Sequence, residues 1–175
     1  MIGLKRGTVK LAVHHPSWAK LFAKEKKFLE NNLGKQIIKI EHVGSTAVRG
    51  LAAKPIIDIA IGVKKIGQTG KLIKSLEALG YRHGKSQRHD LFFDKGPESR
   101  RTHHLHVVRY GGVNWKNYLL FVKHLNSRSK RLKQYEALKK KLAKKFAADR
   151  KSYTAGKNKF IKETIKLASA KKMIA

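Results

Sequence analysis

From Pro55 to Val63 the chain reads PIIDIAIGV, a run of Ile, Ala and Val in which Asp58 is the one polar residue. So short and uniformly apolar a stretch suits an inner strand of a sheet covered on both faces. The segment before it, "HVGSTAVRGLAAK", is short and carries a Gly-Ser turn at Gly44 and Ser45. The chain therefore has to place a turn rich in small residues beside a strand with one carboxylate in its interior.

The surrounding pattern supplies the layers that such a strand needs. Apolar residues at Trp18, Leu21, Phe22, Phe28, Leu29 and Leu33, between Pro16-Ser17 and Gly34, predict an amphipathic helix. "QIIKIEHV" alternates as a strand, with Ile38, Ile40 and His42 on one face and Ile37, Lys39, Glu41 and Val43 on the other. Leu72, Ile73, Leu76 and Leu79 mark a second helix ended by Gly80. "DLFF" and "THHLHVVRY" read as two more strands, separated by the turn-like "DKGPESRR".

Beyond Val113 the period becomes helical. Asn114 is expected to cap a helix carrying Trp115, Tyr118, Leu119, Val122 and Leu125. A basic helix over about 129–148 turns Leu132, Tyr135, Leu138, Leu142 and Phe146 inward, and a third follows Gly156 with Phe160, Ile161, Ile165 and Ala168. Breaks are expected at "NSRS" and "SYTAGK". The expectation is one α+β domain over 1–175: a mixed sheet flanked by helices over 1–113 and a helical C-terminal part over 114–175.

Composition sets what this domain can meet. With 175 residues and 41% hydrophobic content the chain can bury a real core. The absence of cysteine excludes disulfides and thiolate zinc sites. No apolar leader opens the chain and no stretch approaches a membrane span, so a soluble, cytoplasmic protein without transmembrane association is expected. There are 41 Lys and Arg against 11 Asp and Glu, a net charge of +30, of which residues 116–175 carry +16. Such a surface attracts polyanions. Solvated helix lysines and a general bias toward high pI produce the same count without any ligand.

Gly44 permits close approach of a phosphate to the backbone. Asp58 would hold a divalent cation, Mg2+ or Mn2+, against that phosphate, since Mg2+ favours carboxylate together with phosphate oxygens. Ser45 and Thr46 cap the turn or face the phosphate; no Ser-His-Asp order surrounds them that would make either a nucleophile. Lys54 stands near the start of the strand and is placed to touch a phosphate. On "THHLHVV", His104 and His106 share one strand face while His103, Leu105 and Val107 take the other. Together with Asp58 they would form a metal triad suited to Zn2+, Mn2+ or Fe2+ if the two strands are adjacent. Glu41, His42 and Arg88 are secondary candidates for the same cleft, with His89 beside Arg88 and Asp90 and Asp94 as reserve carboxylates.

"EHVGSTAVRGLAAKPIIDIAIGV", "THHLHVV", "YEALKKKLA" and "YTAGKNKFI" resemble the GrpB family, and the likeness runs from "PSWAKLFAKE" to "KFI". The resemblance implies a nucleotidyltransferase-like fold with a Gly-Ser loop followed by an acidic strand; it does not supply an established activity. Two positions depart from the pattern. Nucleotidyltransferases pair two carboxylates as Asp-x-Asp, and here the second position is Ala60. The family pattern usually has Pro where this chain has Arg49. The leading expectation is binding of a nucleotide or coenzyme-like phosphorylated molecule, with metal-assisted nucleotidyl transfer at Asp58 as its extension. Its rivals are a non-catalytic RNA- or polyanion-binding protein using the Lys-rich helices, and a scaffold without remaining chemistry.

Overall fold

The computed structural model describes residues 2–85 and 90–172. Its strands are β1 (Lys39–Val43), β2 (Ile57–Val63), β3 (Tyr81–His83), β4 (Asp90–Lys95) and β5 (His103–Arg109), joined in one sheet in the order β1-β2-β5-β4-β3. The sheet is mixed. β2 and β5 run parallel and the other neighbours antiparallel. β2 is an inner strand, buried at every position except the partly exposed Asp58.

The two sheet faces meet different helices. Ile40, Ile57, Ile59, Ile61, Val63, Leu105, Val107 and Phe93 point to the side covered by α1 (Ser17–Leu33) and α2 (Gly70–Ala78), where Trp18, Leu29, Leu33, Leu72 and Leu76 complete the main core. On the opposite side Val43, Ala60 and Val108 pack against Trp115, Tyr118 and Leu119 of α3 (Val113–Ser127). Helices α4 (Ser129–Lys145) and α5 (Arg150–Lys172) close over α3 and the loop after β1, around Val48, Leu51, Phe121, Leu125 and Tyr135. Arg131 fixes α4 to α5: its guanidinium carbon lies 3.7 Å from the Phe160 ring centroid and its Nε donates to Thr164 Oγ1 at 2.9 Å.

Several local expectations are corrected. Ile38 precedes β1 and is 50% exposed; only Ile40 and His42 continue that face. Residues 81–83 form a short edge strand that the apolar pattern did not mark. Asn114 is not a cap, since α3 begins at Val113 after Gly112. Nor does Gly156 interrupt the chain: α5 passes through it without a break. The reason is contact, because a Cβ at Gly156 would sit 2.6 Å from Leu142 Cδ2, and glycine lets α4 and α5 approach. The real break before α5 falls at residues 146–149.

Candidate functional site

A cavity of about 490 Å³ lies between the α3 side of the sheet and helices α3, α4 and α5. Adjacent parallel strands build its floor: Asp58 on β2 stands opposite His104 on β5, and Ala60 opposite His106. The period of two then turns Asp58, His104 and His106 to the same side. Gly44 and Ser45 form one wall. Gly44 adopts φ +69°, and a Cβ there would lie 2.5 Å from Asp58 Oδ2. The Gly-Ser turn is thus required twice, by backbone sign and by the carboxylate packed against it.

The His104 tautomer follows from its two neighbours. The guanidinium of Arg150 can only donate, so His104 Nε2, 3.4 Å away, accepts. His104 Nδ1 then carries the proton and donates to Asp58 Oδ1 at 3.1 Å. Burial holds the His104 imidazole below its usual pKa, in keeping with a neutral ring. Burial of Asp58 works against its charge, yet the hydrogen bond from His104 and the nearby charges of His106 and Lys54 bring its pKa down to about 2. Asp58 is a carboxylate at neutral pH.

Around this carboxylate stand Lys54, Arg150 and Lys157, all lining the cavity. Burial, then repulsion from Lys157 and Arg150, lowers Lys54 to about 7. Lys157 falls to about 8, through burial and Arg150, with Asp58 opposing. The Tyr153 ring lies between them, its centroid 5.5 Å from Lys54 Nζ and 4.6 Å from Lys157 Nζ. The Ser45 and Tyr135 hydroxyls are hydrogen-bonded, and burial raises the pKa of Tyr135 and Tyr153, so both remain neutral phenols. Phe121, Ile161 and Ile165 supply the apolar lining. Around Asp58 the arrangement is a cationic pocket with an aromatic wall, suited to an anion carrying an organic group.

The other sequence candidates divide between the site and the scaffold. Thr46 is buried outside the cavity, with its hydroxyl 3.4 Å from the Ile56 carbonyl and 3.0 Å from His42 Nε2. His42 itself stacks on Phe22 of α1, on the opposite side of the sheet, and burial lowers it to about 4. Glu41 pairs in register with Ala60 but lies outside the cavity. Arg88 and His89 fall outside the described residues. Asp94 is engaged by buried Arg101 at 3.1 Å and by Arg82, whereas Asp90 lines the cavity.

Three results bear on metal and polyanion binding. Ala60 is fully buried among Val43, Val108 and Trp115, so an apolar contact fills the place of a second carboxylate. Among the described residues no three His, Asp or Glu side chains are grouped to hold one ion, and His104 already uses both ring nitrogens. The described residues therefore do not fit a three-ligand or a two-metal centre. The Lys-rich helices are not solvated throughout: Lys139 of α4 is 1% exposed, its Nζ donating to the Ala52 carbonyl and lying 5.0 Å from the Tyr135 ring centroid.

Sequence reasoning missed Arg150, Tyr153 and Lys157. They recur with Ile161 and Ile165 on one stripe of α5, and the supposed break at "SYTAGK" concealed that stripe.

The sequence pattern of the family described as GrpB protein matches residues 8–167. The chain belongs to the GrpB family. It is 39% identical over 171 residues to "Glutamate-rich protein GrpB" of Alkalihalophilus pseudofirmus, covering 94% of this chain and 98% of that one. The crystal structure of the conserved protein GrpB from Enterococcus faecalis superposes with a TM-score of 0.85 at 31% identity, over 94% and 99% of the two chains. A shorter likeness, 33% over 81 residues, links 45% of this GrpB-family chain to 20% of a dephospho-CoA kinase of Mycolicibacterium paratuberculosis. In the GrpB fold, Arg49 is now explicable as a local difference. Its N–H donates to Asn126 Oδ1 at 2.9 Å, a bond that proline could not make. No helix among the described residues is long and apolar enough to cross a membrane.

Proposed function

We propose that this GrpB-family protein binds a nucleotide or coenzyme-like phosphorylated molecule, with the phosphates beside Gly44 and Ser45 and between Lys54, Arg150 and Lys157. The observation that carries the reading is the convergence of three cations on one cavity, two of them lysines whose charge is disfavoured until an anion arrives. The partial likeness to a dephospho-CoA kinase, named for a phosphorylated nucleotide-like substrate, supports the same ligand class. Nucleoside triphosphates are made in the cytoplasm, which is where this reading places the protein. Binding is the function proposed; nucleotidyl transfer would need a second metal-holding carboxylate where Ala60 stands.

Titration calorimetry with ATP tests this directly. Lys54 and Lys157, at about 7 and 8 in the free protein, are raised by a bound phosphate. Binding at pH 8 therefore takes up protons. Both lysines are charged below pH 7, lose charge through pH 7–8, and regain it in the complex. Affinity should thus fall as pH rises from about 7 to 9, by up to about tenfold per unit for each lysine involved. Proton uptake is read from titrations in buffers of different ionisation heat; binding without it overturns the role of the lysines.

Asp58→Asn separates two ways of holding the phosphate. If one Mg2+ or Mn2+ bridges Asp58 and the phosphate, the amide removes Mg2+-dependent binding while still accepting from His104 Nδ1. If the cations act alone, the same substitution removes a repulsive charge and tightens binding by about tenfold, indifferent to chelator. Among the described residues no three His, Asp or Glu side chains are grouped around one point, which favours the second result. Unchanged affinity would place the phosphates away from Asp58.

A further inference from the structure

The end of the cavity opposite the cations has a different chemistry. Asp90 and Asp58 lie two strands and four residues apart on one sheet face, about 16 Å by ordinary strand spacing. Asp90 Oδ2 accepts the phenolic proton of Tyr118 at 2.8 Å. Asp90 Oδ1 is buried and has no hydrogen-bond partner among the described residues; His106 Nδ1, at 3.7 Å, is too distant. A buried carboxylate oxygen without a donor is costly, and Asp90 belongs to the cavity lining. Asn114 and Asn117, within one turn of Tyr118 on α3, line the same cavity and bring amide donors. Planar rings complete this end, with His106 5.4 Å from Phe92 and 5.3 Å from Tyr118, centroid to centroid.

We propose that Asp90, with an asparagine amide of α3, reads a nucleobase bearing an exocyclic amine next to a ring nitrogen, the edge that adenine and cytosine share. The amine donates to Asp90 Oδ1 and the ring nitrogen accepts from Asn114 or Asn117. Hypoxanthine and uracil present a carbonyl in place of the amine, which would face a carboxylate oxygen with no proton between them. The inference rests on the phosphate reading above: cations at one end orient the ligand so that its base reaches Asp90 at the other.

Calorimetric titrations of the wild-type protein with ATP, ITP, CTP and UTP decide it, since the four share one triphosphate. ATP should bind at least about tenfold more tightly than ITP, and CTP than UTP, as expected for one hydrogen bond to a charged acceptor. In Asp90→Asn the preference should collapse, because the amide can turn its N–H2 toward a carbonyl, while affinity for tripolyphosphate stays unchanged. Equal binding of ATP with ITP and of CTP with UTP overturns the inference and leaves the phosphate site standing. Failure of all four to bind, with tripolyphosphate also silent, overturns both.

Discussion

Replacing Lys54, Arg150 and Lys157 together by Met is expected to abolish nucleotide binding and, at pH 7, to raise the melting temperature of the free protein. Each charge-assisted contact to a phosphate contributes about 1.5–3 kcal/mol, so one substitution costs roughly tenfold to a hundredfold and three exceed the range of calorimetry. The gain in stability has the opposite origin. The three cations are crowded around Asp58, and burial with mutual repulsion lowers the two lysines. A lysine whose folded pKa lies below its unfolded value binds fewer protons when folded, so the free protein gains stability as pH rises from about 7 toward 10. Methionine removes that burden and fills similar volume. Thermal melts between pH 6 and 10 check both points: the triple variant should be the more stable at pH 7 and should flatten the pH dependence. A variant that binds ATP normally, or that melts lower at pH 7, contradicts the assignment of these residues to a ligand.

The second large effect falls on the scaffold. Ile57 is fully buried in the main core, one residue before Asp58 and facing the other way. Ile57→Asp places an unpaired charge among Trp18, Leu29 and Leu105, at a cost above about 4 kcal/mol, much of a typical domain's stability. The variant should lose its cooperative transition in circular dichroism. A soluble Ile57→Asp protein melting within a few degrees of wild type would contradict the placement of β2. The comparison of Ile57 with Asp58 is instructive, because neighbouring residues in one strand serve the core and the cavity respectively.

That alternation is why so much of the fold was legible. PIIDIAIGV suited an inner strand, and the period of two on "THHLHVV" already put His104 and His106 on one side. The chain's register then supplied what no local pattern carries, namely that Asp58 faces His104 across adjacent strands. The cations were not legible for two reasons. Gly156 suggested a helix break, whereas it marks the close approach of α5 to Leu142, so the stripe Arg150, Tyr153 and Lys157 was divided. The charge of Lys139 suggested solvent, although it follows Tyr135 by one helical turn and its stem lies along that ring toward the Ala52 carbonyl. Asp90 was visible only as a reserve carboxylate, since Tyr118, which orients it, comes from a helix 28 residues later.

On the proposed function, phosphates occupy the space between Gly44, Ser45 and the three cations. A crystal structure of the protein grown with saturating ATP measures this most directly. Triphosphate density is expected within hydrogen-bond distance of Lys54, Arg150 and Lys157, with the His104–Asp58 contact retained. Density confined to the exposed lysines of α4, such as Lys140, Lys144 or Lys145, with none in the cavity, would contradict it.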